Sequence, residues 1–423
     1  MKNQPNKDNT FCYYPFHEIT LKMWEGEKLA ATSPCCMMFN TYNEGLQIEN
    51  MDLKTPEELF NSKEMQQLRK DALKGVRNPL CDICWKLEDN GQTSFRMYSL
   101  PQGRDSMPKK ELKNPQLATI DITLSNVCNL RCRMCDVSNS NRLNIDFDIL
   151  EAQGTRNEFA NITGAMAHKY PRKEAAKSKQ FEWLYENTHK IKTLKASGGE
   201  PFYDKHIIRL LEQYIKTGAA QDTTLHFHTN ATMIDDRVID IIKHFKKNFN
   251  TFSIDGTDKV YEYIRHEADW NILNKNVKNY AALDNVELID LNMVVTAHNL
   301  HNVPDYVNWA KKLQKKINIV YSEVYPQHRG IHISSLPNKM LKDVHKKISN
   351  IDEPEDRDQY LGLDVLKEFV EKAMDVPENI KKGKQKKLYR ETVILDAARN
   401  QSYKDYLYPQ MVNLLDKLKK LYD

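Results

Sequence analysis

The sequence predicts an α/β protein: a partial (βα)6 barrel of parallel strands, preceded by a cysteine-rich region and followed by a helical extension. Three observations carry this expectation. Between residues 116 and 330, short β-rich runs alternate with helix-period stretches, the pattern of a parallel sheet joined by right-handed crossovers. All eight cysteines lie at or before position 135. Beyond residue 330 the pattern turns helical and lysine-rich. Four segments follow: a cysteine-rich module over 1–100, a linker over 101–115, the barrel over 116–330 and the extension over 331–423.

In chain order, residues 1–100 read as short strands and loops punctuated by Pro34, Pro56 and Pro79, with one helix over Pro56–Leu73. There Leu59, Phe60, Met65 and Leu68 recur at helical intervals. Thr55 with Glu58 three residues on makes an N-terminal capping pair. The polar stretch beginning Pro101-Gln-Gly-Arg is the linker. The barrel strands are Ala118–Leu124, Thr193–Ser197, Thr223–Thr229, Thr251–Asp255, Glu287–Thr296 and Ile317–Val324. Helices are expected over Lys205–Lys216, Asp235–Lys247, Ile272–Leu283 and Pro304–Leu313. Residues 137–190 are polar and longer than one crossover needs, so they form an insertion or lid. The run Lys381–Lys387 is expected on a solvated helix or loop.

Composition excludes several classes. Lys and Arg number 62 against 58 Asp and Glu; the net charge of +4 is too even for a nucleic-acid-coating protein, and no nucleic-acid partner is expected. With 40% hydrophobic residues and only 14 Gly and 16 Pro, the chain is neither collagenous nor wholly disordered. No run of about 18 apolar residues marks a membrane span, and the first residues lack the apolar core of a signal peptide. A cytoplasmic protein without membrane partners is the expectation. In a reducing compartment, clustered thiols bind metal or do chemistry rather than pair as disulfides. No phosphate-binding glycine loop, dinucleotide fingerprint or Ser/His/Asp hydrolase motif occurs.

The strongest chemical signal follows the first barrel strand: Asp121-Ile-Thr-Leu-Ser-Asn-Val-Cys128-Asn-Leu-Arg-Cys132-Arg-Met-Cys135. Three thiolates spaced C-x3-C-x2-C on one short loop can wrap a cubane iron–sulfur cluster, ligating three irons and leaving the fourth open. A structural zinc wants four closed ligands and fits this loop less well. The triad resembles the signature of the radical S-adenosylmethionine (radical SAM) superfamily, and later segments resemble its other motifs in order. Ser197-Gly198-Gly199-Glu200-Pro201 resembles the GGEP motif, which implies a turn close to the methionine amino group of SAM. The third strand ends in His228-Thr-Asn230-Ala231, similar to a TNG-like motif with Ala231 in place of the usual Gly. Ser253, Asp255 and Arg265 resemble the SxDG…R pattern of the subgroup carrying SPASM or twitch domains, whose members use these positions for SAM's ribose or carboxylate. The same resemblance implies that His228 and Asn299 serve the pocket and that Met134 stands where many members place an aromatic beside adenine. It also implies a TIM-type barrel with SAM at the C-terminal ends of the strands.

Upstream lie Cys12, the pair Cys35 and Cys36, and the C-x2-C pair Cys81 and Cys84. Such a set can close a tetrahedral site or a fully ligated cluster. It resembles a SPASM/twitch auxiliary-cluster module, although in most SPASM enzymes that module follows the barrel. The expected ligands are Cys12, Cys35, Cys81 and Cys84, with Cys36 the alternate and zinc the alternative to iron–sulfur. Near the C terminus, Leu395-Asp396-Ala-Ala-Arg399-Asn-Gln-Ser402 and Tyr408-Pro409 resemble the same twitch-type group.

The resemblance implies a radical SAM enzyme. An open [4Fe-4S] cluster would cleave SAM reductively, and the 5′-deoxyadenosyl radical would take hydrogen from a peptide, protein or sugar-like substrate. A second, auxiliary [4Fe-4S] cluster and an electron donor such as flavodoxin or ferredoxin complete the expectation. No catalytic acid or base is identified. The competing reading is a non-enzymatic scaffold or sensor stapled by metal, with zinc in the N-terminal module. The pairs His226/His228, His298/His301 and His328/His332 have ligand-like spacings but no partner fixed by sequence, so pocket or surface roles are expected.

Overall fold

The computed structural model describes residues 10–23, 29–40, 43–91, 93–98, 112–164, 178–324, 329–354 and 360–423. Most of the expected linker, at 101–111, and His328 lie outside the described residues. The principal strands are β1 (Glu18–Met23), β2 (Leu29–Ser33), β3 (Thr119–Thr123), β4 (Thr193–Ser197), β5 (Thr224–Thr229), β6 (Thr251–Ser253), β7 (Leu288–Val295) and β8 (Lys316–Glu323). All six strands expected between 116 and 330 are present, with no end moved by more than two residues. Their order across the sheet is β8-β7-β6-β5-β4-β3-β1-β2. Every neighbouring pair is parallel except β1 and β2, which are antiparallel.

The N-terminal strands therefore continue the barrel sheet. β1 lies beside β3 in unbroken register from Glu18 opposite Thr119 to Lys22 opposite Thr123. Alternation along each strand then decides which side chains meet the helices. Ile19 and Leu21 of β1, Ile120 and Ile122 of β3, Leu194 and Ala196 of β4, and Leu225 and Phe227 of β5 are fully or almost fully buried in the main apolar core. Burying each larger side chain contributes about 1.5–3 kcal/mol. The alternate residues form polar rows across the other face. Thr20, Asp121, Lys195 and His226 stand in one register row, and Lys22, Thr123 and Ser197 in the next.

The barrel-side helices include α7 (Lys205–Lys216), α8 (Asp236–Ile242), α10 (Trp270–Ala281) and α11 (Val303–Ala310); α9 (Asp258–Ile264) follows β6. α8 is shorter than its sequence pattern because the Asn248 side chain donates to the Ile242 carbonyl at 2.9 Å, closing that end. The single helix expected over Pro56–Leu73 is two, α1 (Pro56–Phe60) and α2 (Lys63–Lys74), because Ser62 accepts from Met65 N at 3.3 Å and starts a new helix. The Thr55 and Glu58 capping pair forms as expected, and α3 (Asp82–Asp89) follows α2. The 137–190 insertion supplies α4 (Leu143–Ala152), α5 (Arg156–Thr163) and α6 (Lys179–Glu186), with 165–177 outside the described residues.

The extension contains α12 (Asn338–Ser349), α13 (Leu363–Met374), α14 (Glu378–Arg399) and α15 (Pro409–Tyr422). α14 packs Ile394, Leu395 and Ala398 against Val137, Phe147 and Phe159, beside the cysteine triad. One lysine departs from the solvated expectation: Lys381 is fully buried and donates to Asn338 Oδ1 at 2.6 Å and Leu336 O at 3.3 Å. No helix among the described residues is long and apolar enough to cross a membrane.

Candidate active site

At the C-terminal ends of β3 to β6 the polar face opens into a cavity of about 460 Å³. Cys128, Cys132 and Cys135 line it together with Met134, Ser197, Gly198, Gly199, His228, Asn230, Ser253 and Arg265. Segments up to 245 residues apart in sequence thus meet where a parallel barrel binds its ligands. Sequence reasoning missed Thr20, Lys22, Asp121, Thr123 and Asn139, which line the same cavity. Polar residues alternating along strands otherwise dressed for burial were the available signal.

The Gly-Gly turn is held against the loop that carries the triad. Gly199 N donates to Ser125 O at 3.1 Å and Glu200 N to Val127 O at 2.8 Å. Gly198 has φ +122°, and a Cβ on Gly199 would fall 2.0 Å from Val127 O. Only glycine permits this approach. Glu200 sits behind the turn, almost fully buried, and is absent from the cavity wall. It accepts from Thr229 Oγ1 at 2.7 Å, Asn230 N at 2.7 Å and Phe202 N at 3.1 Å, so its carboxylate fixes the next strand end. Burial pushes it up to about 7, against the pull of those bonds. Pro201 opens the short turn that follows and is buried.

Asn230 bridges two loops: its Nδ2 donates to Asn129 Oδ1 at 2.9 Å within the triad segment. Ala231, standing for the usual Gly, holds φ +61°, the left-handed conformation that Gly adopts without cost. Arg265 pairs in a short antiparallel bridge with Cys132, and its Nη1 lies 3.7 Å from Cys132 Sγ. Its Nη2 stands 2.7 Å from Asp255 Oδ2, an ion pair whose alignment falls short of a hydrogen bond. Asp255 Oδ1 accepts from Val294 N at 2.8 Å. Asn299 is fully buried, donating to Asp255 O and Val294 O; it braces the Asp255 turn instead of lining the cavity.

Burial pushes all three triad thiols up, Cys128 to about 12. Cys132 adds to the rise at Cys128, Cys132 and Cys128 add to it at Cys135, and Arg265 counters it at Cys132. As bare thiols they are inert acids; a bound metal deprotonates such ligands outright. Leu130 N, at 3.5 Å from Cys128 Sγ, and Arg265 offer donors to the resulting negative sulfur. The donor set, the adjoining open cavity and these N–H and guanidinium groups fit an iron–sulfur group with one open side. Among the described residues no three His, Cys, Asp or Glu side chains close around a single metal ion, the triad included.

Upstream, the five cysteines influence one another electrostatically. Cys81 and Cys84 raise Cys12, Cys12, Cys36 and Cys81 raise Cys35, and Cys84 raises Cys81, in each case beside a larger effect of burial. Cys36 stands apart. After burial its strongest influences are Asp121 and Glu18, and it lines the main cavity with the triad. His226 and His228 stack at 5.5 Å on one strand face, and only His228 reaches the cavity wall. His298 and His301 are buried, with His298 Nε2 2.9 Å from Thr392 Oγ1 of α14.

Residues 122–310 match the family model of the radical SAM superfamily, and this stretch is a radical SAM domain. Members of that superfamily are enzymes. Among solved structures, Streptococcus suis SuiB bound to S-adenosylmethionine is similar at 14% identity and a TM-score of 0.32, covering 69% of this chain and 59% of that one. SuiB bound to its precursor peptide SuiA is similar at 13% and 0.31, covering 66% and 61%. TYW1 with a lysine-pyruvate adduct gives 13% and 0.29, covering 57% and 76%. This chain thus spans less than two thirds of the length of SuiB. Likeness at this level identifies neither substrate nor partner. No curated protein matches the chain.

Proposed function

We propose that the chain is a radical SAM enzyme of the SPASM/twitch-containing subgroup, working in the cytoplasm. One observation carries the reading: the three triad cysteines and the Gly198-Gly199 turn share a single cavity at the strand ends. In this reading Cys128, Cys132 and Cys135 hold an open [4Fe-4S] cluster. When bound, that cluster supplies the electron that splits SAM into methionine and a 5′-deoxyadenosyl radical able to take hydrogen from a C–H bond. The chain's own residues bind and orient. The Gly-Gly backbone admits the methionine end of SAM, Asn230, Ser253 and His228 offer hydrogen bonds, and Met134 supplies apolar contact. Asp255, Asn299 and Glu200 brace those groups from behind.

Cys12, Cys35, Cys81 and Cys84 are the ligands of an auxiliary [4Fe-4S] cluster in this reading. Cys36 stays outside it as a cavity thiol. The substrate is a peptide, protein or sugar-like molecule, and a flavodoxin or ferredoxin supplies electrons. The test is anaerobic iron–sulfur reconstitution followed by SAM and dithionite. Two clusters per chain and release of 5′-deoxyadenosine support the proposal. Intact SAM with fully loaded protein, or stoichiometric zinc in place of iron, would sink it. Cys132→Ala should abolish SAM cleavage, whereas Cys84→Ala should remove only the upstream cluster.

A further inference from the structure

The C-terminal motif around Asp396 and Arg399 plays no part in that reading, and the structure places it against the cluster loop. Arg133, between Cys132 and Cys135, lies 3.6 Å over the Tyr263 ring and donates through Nε to Tyr263 O at 2.8 Å. Its Nη2 donates to Asp396 of α14 and to Gln401 Oε1 at 3.1 Å. Asp396 also accepts from Tyr263 Oη and from Tyr403 N, each at 2.8 Å. Arg329 grips the loop backbone: Nη2 donates to Arg133 O at 2.7 Å and Nη1 to Met134 O at 3.0 Å. Glu391 of α14 holds that guanidinium at 2.5 Å. Gly330 lets the segment approach, since a Cβ there would sit 2.4 Å from Leu388 N of α14. On the loop's other flank, Arg131 and Arg399 both pair with Asp146, at 2.8 and 2.7 Å.

We propose that Asp396, Glu391 and Arg329 are positioning residues for the metal site: α14, through Arg329 and Arg133, clamps the loop that spaces Cys132 and Cys135. The inference rests on the reading of the triad as iron ligands. Its physical basis is that two consecutive carbonyls, of residues 133 and 134, are held by one rigid planar fork. That fixes the backbone turn between the two cysteines and so the separation of their sulfurs. Both side chains of each pair from α14 are 9% exposed or less, so water cannot replace the lost contacts. Partners of this kind outside the ligand shell typically change metal retention about 10–100-fold.

The test uses full-length, reconstituted protein and follows iron release to a colorimetric chelator, together with the spectrum of the reduced cluster by electron paramagnetic resonance. Arg329→Met and Asp396→Asn should release triad iron about tenfold faster and broaden the triad's signal. Arg329→Lys should fall between them and the wild type, because one ammonium keeps the Glu391 pair but cannot span both carbonyls. Leu415→Ala in α15, a core change away from the loop, should lower thermal stability and leave iron release unaltered. The clamp is overturned if the Arg329 and Asp396 variants release iron within about twofold of wild type. It is equally overturned if release in every variant, Leu415→Ala included, simply tracks the melting temperature. Failure of the underlying reading looks different: Cys132→Ala would then load as much iron as the wild type.

Discussion

Gly199→Ala offers the sharpest test of how the site is assembled. The new Cβ would stand 2.0 Å from Val127 O, 2.5 Å from Val127 C and 2.8 Å from Val127 N. These are backbone atoms, so no side chain can swing aside. Ordinary contact begins near 3.4 Å, and the turn must therefore retreat from the triad loop by more than an ångström. That separation breaks the bonds from Gly199 N to Ser125 O and from Glu200 N to Val127 O. Two buried hydrogen bonds at about 0.5–1.5 kcal/mol each, with some strain remaining, give a loss of about 2–4 kcal/mol. Val127 precedes Cys128, so the displacement passes directly to a proposed iron ligand. Urea unfolding and iron content measured on the same preparations read both effects. Gly383→Ala is the matched control, because its Cβ would meet nothing within 4 Å on an exposed turn of α14; stability should stay level or rise by about 0.5–1 kcal/mol. If Gly199→Ala unfolds at the wild-type midpoint and loads the wild-type amount of iron, the reasoning fails.

Other expectations follow from the same geometry. Arg265→Leu strands Asp255 in the interior and should cost about 3–5 kcal/mol in chemical unfolding, whereas a loss below about 1 kcal/mol would mean that the pair is not a buried partnership. Cys36→Ser should retain the wild-type metal content, and Cys12→Ser, Cys35→Ser, Cys81→Ser and Cys84→Ser should each lower it; equal loss at Cys36 would reassign the quartet. The pH dependence of stability contains opposing parts. Burial holds His226 down to about 3, so below 6.5 the unfolded chain gains a proton that the folded chain refuses, and stability drains as pH falls toward 3. Burial instead pushes Glu18 and Glu200 up to about 7; each keeps a proton when folded between 4.5 and 7, so its contribution weakens as pH rises through that window. The difference between proteins isolates the histidine: His226→Gln should lose less stability than wild type between about pH 7.5 and 5. Parallel pH curves for the two would contradict the assignment.

Much of the barrel and of the triad was legible because their signals are local. Alternation within β3 shows Ile120 and Ile122 facing the core and Asp121 and Thr123 facing away. The C-x3-C-x2-C spacing holds within eight consecutive residues, and the Gly-Gly turn shows directly in the sequence. Asp255 and Asn299 were legible as important but not in their setting. The sequence placed them in the pocket, and the structure puts them one layer behind it, where they tie β6 to β7 and support Arg265. Glu200 belongs to the same layer for the same reason: its oxygens are occupied by the neighbouring strand end.

By itself the sequence determined the α/β class, the six barrel strands and the grouping of three cysteines on one loop, since each depends on periodicity or spacing over a few residues. Tertiary structure decided three things that such patterns do not encode. β1 joins the barrel edge beside β3, a pairing across about a hundred residues that only the matching register of two strands selects. That pairing brings Lys22 to the cavity, and Cys36, next in sequence to a proposed cluster ligand, also lines it. α14 returns over the triad loop, so Asp396 meets Arg133 across 263 positions. Contacts of such separation are chosen by complementary buried surfaces and charges once the chain has folded, and no local pattern announces them.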